Sequence, residues 1–177
     1  MDKQSNKSKL VLTSLFKEFY NNNDNRLKVA NIINRKCNYS RRTLEWFCSN
    51  YSKRKNIIFK LSDGTMFDVY KSYKSKLESY QKKQFDPFKR EREGYTPFPL
   101  KYKENGKSFQ IETTVGQLNF FKWCFEKEIT KYIEEHIKEI KQDMKTYVNV
   151  KVKNNDKKVI TTRTCIKKYD GVSLKFK

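Results

Sequence analysis

The chain has 177 residues and a formal net charge of +20, yet it carries 13 Phe and 11 Tyr, a payload of large apolar side chains that excludes a disordered polycation. No apolar run approaches the roughly 20 residues of a membrane helix, and the N-terminus MDKQSNKSK has no apolar signal core, so neither a span nor a secretion signal is expected. Cys37, Cys48, Cys124 and Cys165 include no close pair, which supports neither a zinc ribbon nor a secreted disulfide framework, and four free thiols are expected.

The charge is segregated along the chain. Residues 1–60 carry +10, 61–112 carry +3, 113–144 carry −1 and 145–177 carry +8. Like charges repel in a compact state, so a surplus of this size points to a polyanionic partner, of which nucleic acid is the commonest. The plainer reading is a lysine-rich, highly soluble surface of an AT-rich genome, which the run Asn21 to Asn23 also fits.

Residues 1–8 are polar and are expected to be a disordered tail. From Ser8, Leu12, Leu15, Phe16 and Phe19 fall at helical spacing and stop at the turn-forming run Asn21 to Asp24. Asn25 can cap a second helix in which Leu27, Ala30 and Ile33 share a face, ending near Arg35. Ser40 is the expected N-cap of a third, with Leu44, Phe47, Cys48 and Tyr51 on its apolar side and a basic exposed side. Ile57 to Leu61 and Met66 to Val69 flank the turn signal Ser62-Asp63-Gly64 and predict a β-hairpin. This element order is that of a winged helix-turn-helix, whose third helix enters the major groove; it is also a generic order in which Trp46 and Tyr51 are core.

Tyr70, Tyr73, Leu77 and Tyr80 continue a helix to about residue 84. Lysines surround that stripe, which is either a base-stacking surface or, with more weight, a core face edged by lysine stems. Pro87 ends the helix, and residues 85–112, with Gly94, Pro97, Pro99 and Gly106, read as a linker holding one strand at 108–112. Thr114 to Gln117 has the form of a capping box, followed by an apolar stripe from Leu118 to Met144 that predicts one long helix over 113–147. In residues 148–177, Val148, Val150 and Val152 alternate with polar residues, as in a basic β-ribbon or a tail that orders on a polyanion. The fold class expected is α+β and mainly helical, with 9–84 as a helical unit bearing the hairpin.

Signals for catalysis are sparse. His136 lies twelve residues from Cys124 in the same expected helix, about 18 Å along its axis, so the two cannot pair there. Five glycines include no phosphate-cradling loop. A metal-dependent nuclease needs clustered carboxylates beside a lysine; Asp63, Asp68, Asp86, Glu91, Glu93 and Glu112 are available, but Glu91 and Glu93 alternate with Arg90 and Arg92, as in ion pairs. The expectation is a non-enzyme with no metal and no cofactor, a nuclease standing third among the readings.

The blocks Phe67-Asp68-Val69-Tyr70, Tyr73-Lys74, Lys83 to Arg90 and Thr113 to Trp123 resemble a family of small basic proteins encoded by nucleocytoplasmic large DNA viruses. The resemblance covers roughly residues 27–177, and TTVGQLNFFKW is its most specific part. It implies no assigned activity and no catalytic residue; many members carry Cys where this chain has Lys89. It also implies a setting, the viral factory in the host cytoplasm or the virion interior. The leading expectation is thus a protein that binds nucleic acid, double-stranded DNA before RNA, in transcription or genome packaging. Its contacts would be Arg41, Arg42, Lys53, Arg54 and Lys55, with Lys151, Lys153, Lys157 and Lys158 as a second, backbone-tracking set. The alternative is a scaffold whose aromatic motifs Phe85 to Phe88 and Phe120 to Trp123 dock onto another viral protein.

Overall fold

In the computed structural model, which describes residues 13–80, 84–88 and 97–147, helices alternate with two antiparallel hairpins, an α+β and mainly helical arrangement. Helix α1 covers 13–18 and ends as Leu15 and Tyr20 turn into the core. Helix α2, Asn23–Ile33, starts earlier than its sequence suggests, because Asn22 rather than Asn25 caps it, accepting from the Asp24 amide at 2.8 Å. Its buried residues are Val29, Ala30 and Ile32.

Ser40 does cap the third helix, in a reciprocal arrangement with Thr43. Helix α3, Arg41–Trp46, runs through a π-helical turn, Phe47–Tyr51, into α4, Ser52–Lys55. In the π turn the Ser52 amide bonds back to the Phe47 carbonyl, and the Ser52 hydroxyl takes the Cys48 carbonyl that a regular α-helix would have given to that amide, at 2.8 Å. Asn56, at φ 49°, ends the run in the left-handed conformation.

Strands β1, Ile58–Lys60, and β2, Met66–Asp68, form the expected hairpin around Gly64 at φ 88°. Asp68 then caps α5, Val69–Ser79, through the Lys71 amide. The helix stops short of residue 84: Tyr80 is extended and stacks on Phe85 at 5.5 Å. Tyr73 is buried, so this stripe is a core face.

The segment expected as a linker holds a second, longer hairpin. Strands β3, Phe98–Glu104, and β4, Lys107–Thr113, pair through all seven residues around Asn105-Gly106, both at positive φ, the conformation that two-residue hairpin turns require. Pro99 is accommodated because odd-numbered residues of β3 turn their backbone groups away from β4, as the Lys103 amide shows by bonding Asn23 instead.

The single long helix is replaced by α6, Val115–Glu126, and α7, Ile129–Glu135, with 137–140 helical again. The break falls at Glu128, which adopts φ 52° and accepts the Ser62 amide at 3.2 Å from the tip of the first hairpin. The apolar spacing continues across the break, since Ile129, Ile133 and Ile140 are all buried. Chain contacts divide the molecule at Ile140; in the second unit, residues 141–147 are helical, and the expected ribbon lies outside the described residues.

Helix α6 is central and is buried nearly all round, from Gly116 through Cys124 except Lys122. The turn 84–88 is latched across its first two turns. The Asp86 amide donates to the Gly116 carbonyl at 3.2 Å, the Gln117 side chain to the Pro87 carbonyl at 3.1 Å, and the Asn119 side chain to the Gln84 carbonyl at 2.8 Å. Thr114 caps the Gln117 amide as expected, but the Gln117 side chain does not reach back to the cap, because it serves Pro87 and Thr113 instead. Phe85, 2% exposed, is thereby set among Phe120 at 5.4 Å, Trp123 at 5.6 Å and Tyr73 at 6.1 Å. Replacing Phe85 by Ala should cost about 3–5 kcal/mol, and replacing Gln117 by Ala about 1–3 kcal/mol, since it strands the Pro87 carbonyl and the Thr113 hydroxyl. Urea unfolding of the two variants measures both.

Candidate nucleic-acid interface

The third helix does not present the basic face that a groove-reading helix needs. Thr43, Leu44, Trp46, Phe47, Cys48, Tyr51 and Ser52 are all buried, so its middle is core and its cations stand only at the two ends. Arg42 and Lys53, eleven residues apart, are separated by roughly 16 Å along the axis. The element order expected of a winged helix-turn-helix is present, but the less buried side of its third helix carries Glu45, Ser49 and Asn50 between the two basic ends, so it is not a continuous basic face.

The two ends differ electrostatically. Lys53, Arg54 and Lys55 form the last turn, where the helix dipole favours cations. Two of them also cover aromatic faces, the Lys53 ammonium 5.4 Å from the Tyr70 ring and the Arg54 guanidinium 5.7 Å from Trp46. Their presence therefore has a structural explanation. Arg41 and Arg42 occupy the first turn, where the dipole disfavours cations, and no acidic residue stands there to offset them. Partial burial and the neighbouring Arg35 lower the pKa of the Arg41 guanidinium. Among the described residues neither Arg41 nor Arg42 forms an ion pair, whereas Lys36, Lys71, Lys122 and Lys131 are bridged to Glu104, Asp68, Glu18 and Glu128.

A further basic set was missed in the sequence because its segment read as a linker. Lys101 and Lys103 lie two apart on β3 and share one face of the hairpin. Helix α2 holds the strand by its open edge: the Asn23 side chain exchanges two hydrogen bonds with the Lys103 backbone, at 2.9 and 2.7 Å, and Arg26 donates to the Lys101 carbonyl at 3.1 Å. The signal that could have found it was Asn105-Gly106 between alternating residues. Lys151, Lys153, Lys157 and Lys158 lie outside the described residues, as does Lys89.

Three of the carboxylates considered for metal chemistry serve the backbone, and Glu91 and Glu93 lie outside the described residues. Asp63 accepts from the Thr65 amide, Asp68 from Lys71 and Asp86 from Phe88. No group of three or more His, Cys, Asp or Glu among the described residues is placed to hold a metal ion. His136 closes α7 with its ring stacked on Tyr132, 4.2 Å between centroids.

The contrast between the helix ends predicts opposite effects of charge reversal. Arg42→Glu should stabilise the fold by about 0.5 kcal/mol and Lys55→Glu destabilise it by a similar amount, within the range for exposed charges at helix termini. Urea midpoints at low ionic strength read both.

No solved structure matches the chain. A relative, the uncharacterized protein L507 of Acanthamoeba polyphaga mimivirus, is 37% identical over 135 residues, covering 75% of this chain and 50% of the relative, so the chain spans about half that protein's length. This likeness supports a protein family of giant DNA viruses. Residues 2–171 match the family of unknown function DUF7197, and the chain belongs to that family.

Proposed function

We propose that the chain is a non-enzymatic nucleic-acid-binding protein of a large DNA virus, working in transcription or genome packaging, in the viral factory of the host cytoplasm or inside the virion. The observation that carries this reading is the cationic turn Arg41-Arg42 beside Arg35, held against the helix dipole and without a carboxylate partner among the described residues. The amides of Arg41 and Arg42 also make no hydrogen bond among the described residues, leaving donors for a phosphate at the same place. Such an arrangement lowers stability in the free protein, and a polyanion relieves it. Contact with phosphates gives affinity without sequence readout, which suits a helix whose middle is core.

The scaffold alternative rested on aromatic motifs as a docking surface. Phe85, Phe120, Phe121 and Trp123 are core and do not offer one, which leaves only the half-buried Phe88 among the aromatic residues of those motifs at the surface.

If about six phosphates of duplex DNA are engaged, log K should fall against log salt with a slope near −5. Replacing Arg41 and Arg42 together by Gln should reduce the magnitude of that slope by about 2. Fluorescence anisotropy across a salt series on the full chain makes the measurement, and salt-insensitive binding would contradict the proposal. Incubation with plasmid and Mg²⁺ or Mn²⁺ should leave the DNA uncut.

A further inference from the structure

The β3–β4 hairpin carries two features that neither its fold nor its packing explains. One is a groove of about 470 Å³, lined by Arg26, Lys101, Lys103, Ser108 and Gln110 together with Tyr102 and Phe109. This volume lies within the range of pockets that take small organic groups. Its lining contains three cations and no carboxylate, and Lys101 and Lys103 form no ion pair among the described residues. The Arg26 guanidinium is fixed by the Lys101 and Asn21 carbonyls, and its Nε is buried with no hydrogen-bond partner. The other feature is Phe109, 44% exposed and stacked on the buried Tyr102 at 5.7 Å, an aromatic ring held in place by a rigid neighbour and left open to solvent.

We infer that this hairpin binds a short stretch of single-stranded nucleic acid, with phosphates against Lys101 and Lys103 and the base of a neighbouring nucleotide on Phe109. Cationic grooves beside exposed aromatic rings bind unpaired strands in this way, because every base has a face to stack while a duplex keeps its faces covered. Along β3 the lysines alternate with Tyr102, so the lysine face and the Tyr102–Phe109 pair leave the ribbon on opposite sides. A bound strand therefore crosses the hairpin edge, which an unpaired backbone can follow and a duplex cannot. The Asn23 and Arg26 clamp on the other edge of β3 keeps the ribbon from moving under that load.

The inference rests on the nucleic-acid reading but is separable from it. With a labelled single-stranded oligonucleotide and the full chain, Phe109→Ala should weaken binding roughly tenfold at an unchanged salt slope, and Phe109→Tyr should restore it. Lys101→Gln with Lys103→Gln should reduce the slope magnitude by about 1.4. All three variants alter exposed side chains, and circular dichroism with urea melts checks that they fold. The inference is overturned if Phe109→Ala and the lysine pair bind the oligonucleotide as the parent does while the Arg41 and Arg42 variant loses affinity, a result that leaves the broader reading standing. It is equally overturned if Phe109→Ala weakens duplex and single-strand binding alike. A parent chain that binds no nucleic acid of any form removes both.

Discussion

The polar latch between the turn 84–88 and the start of α6 is the constraint on which the rest of the first unit depends. Gln117 and Asn119 are buried side chains with four hydrogen-bonding groups each to satisfy, and burial without partners would cost several kcal/mol. Their amide groups donate hydrogen bonds to carbonyls 30 and 35 positions away, Gln117 to Pro87 and Asn119 to Gln84. The turn cannot move without breaking them, and Phe85 is carried on that turn into the ring cluster around Trp123. Trp123 in turn donates to Ser72 and lies against Phe67 and Tyr73, so α5 and the first hairpin are fixed to the same centre.

A core of this kind explains why the charge sits where it does. Aromatic residues fill the interior, so the cations are left to the surface, among them those at the two ends of the third helix and on one face of the β3–β4 ribbon. Four of the described lysines, Lys36, Lys71, Lys122 and Lys131, pair with a carboxylate, in surface bridges that add little to stability. Arg41, Arg42, Lys101 and Lys103 are set apart by where they stand rather than by lacking an ion pair. The first pair opposes a helix dipole and the second lines a groove without acid, and in both places an added anion improves the electrostatics of the protein.

Local features were legible in the sequence where neighbouring residues settle them. Ser40 caps its helix, Ser62-Asp63-Gly64 turns its hairpin, and Tyr73 faces the core. Features set by distant partners were not. The break at Glu128 is invisible because the apolar spacing runs through it; a contact with Ser62, 66 positions away, holds it. Gln117 matched a local capping pattern while its side chain was committed elsewhere. The second hairpin was hidden by Pro97 and Pro99, which read as breakers although Pro99 sits where β3 has no need of an amide toward β4. Of the site, the charge of Arg41 and Arg42 and the apolar side of their helix at Leu44, Phe47, Cys48 and Tyr51 were legible, but the π turn Phe47–Tyr51 was not, since no residue type in that run announces it.

The central claim is that two surfaces, the first turn of the third helix and the β3–β4 ribbon, take up a nucleic acid while the latched core stays unchanged. Hydrogen–deuterium exchange of the full chain with and without a saturating oligonucleotide tests this most directly. The account predicts slower exchange in residues 40–43 and 98–110, with no change in the already protected amides of α6. Slowing confined to other segments, or equal at every exposed amide, would contradict it.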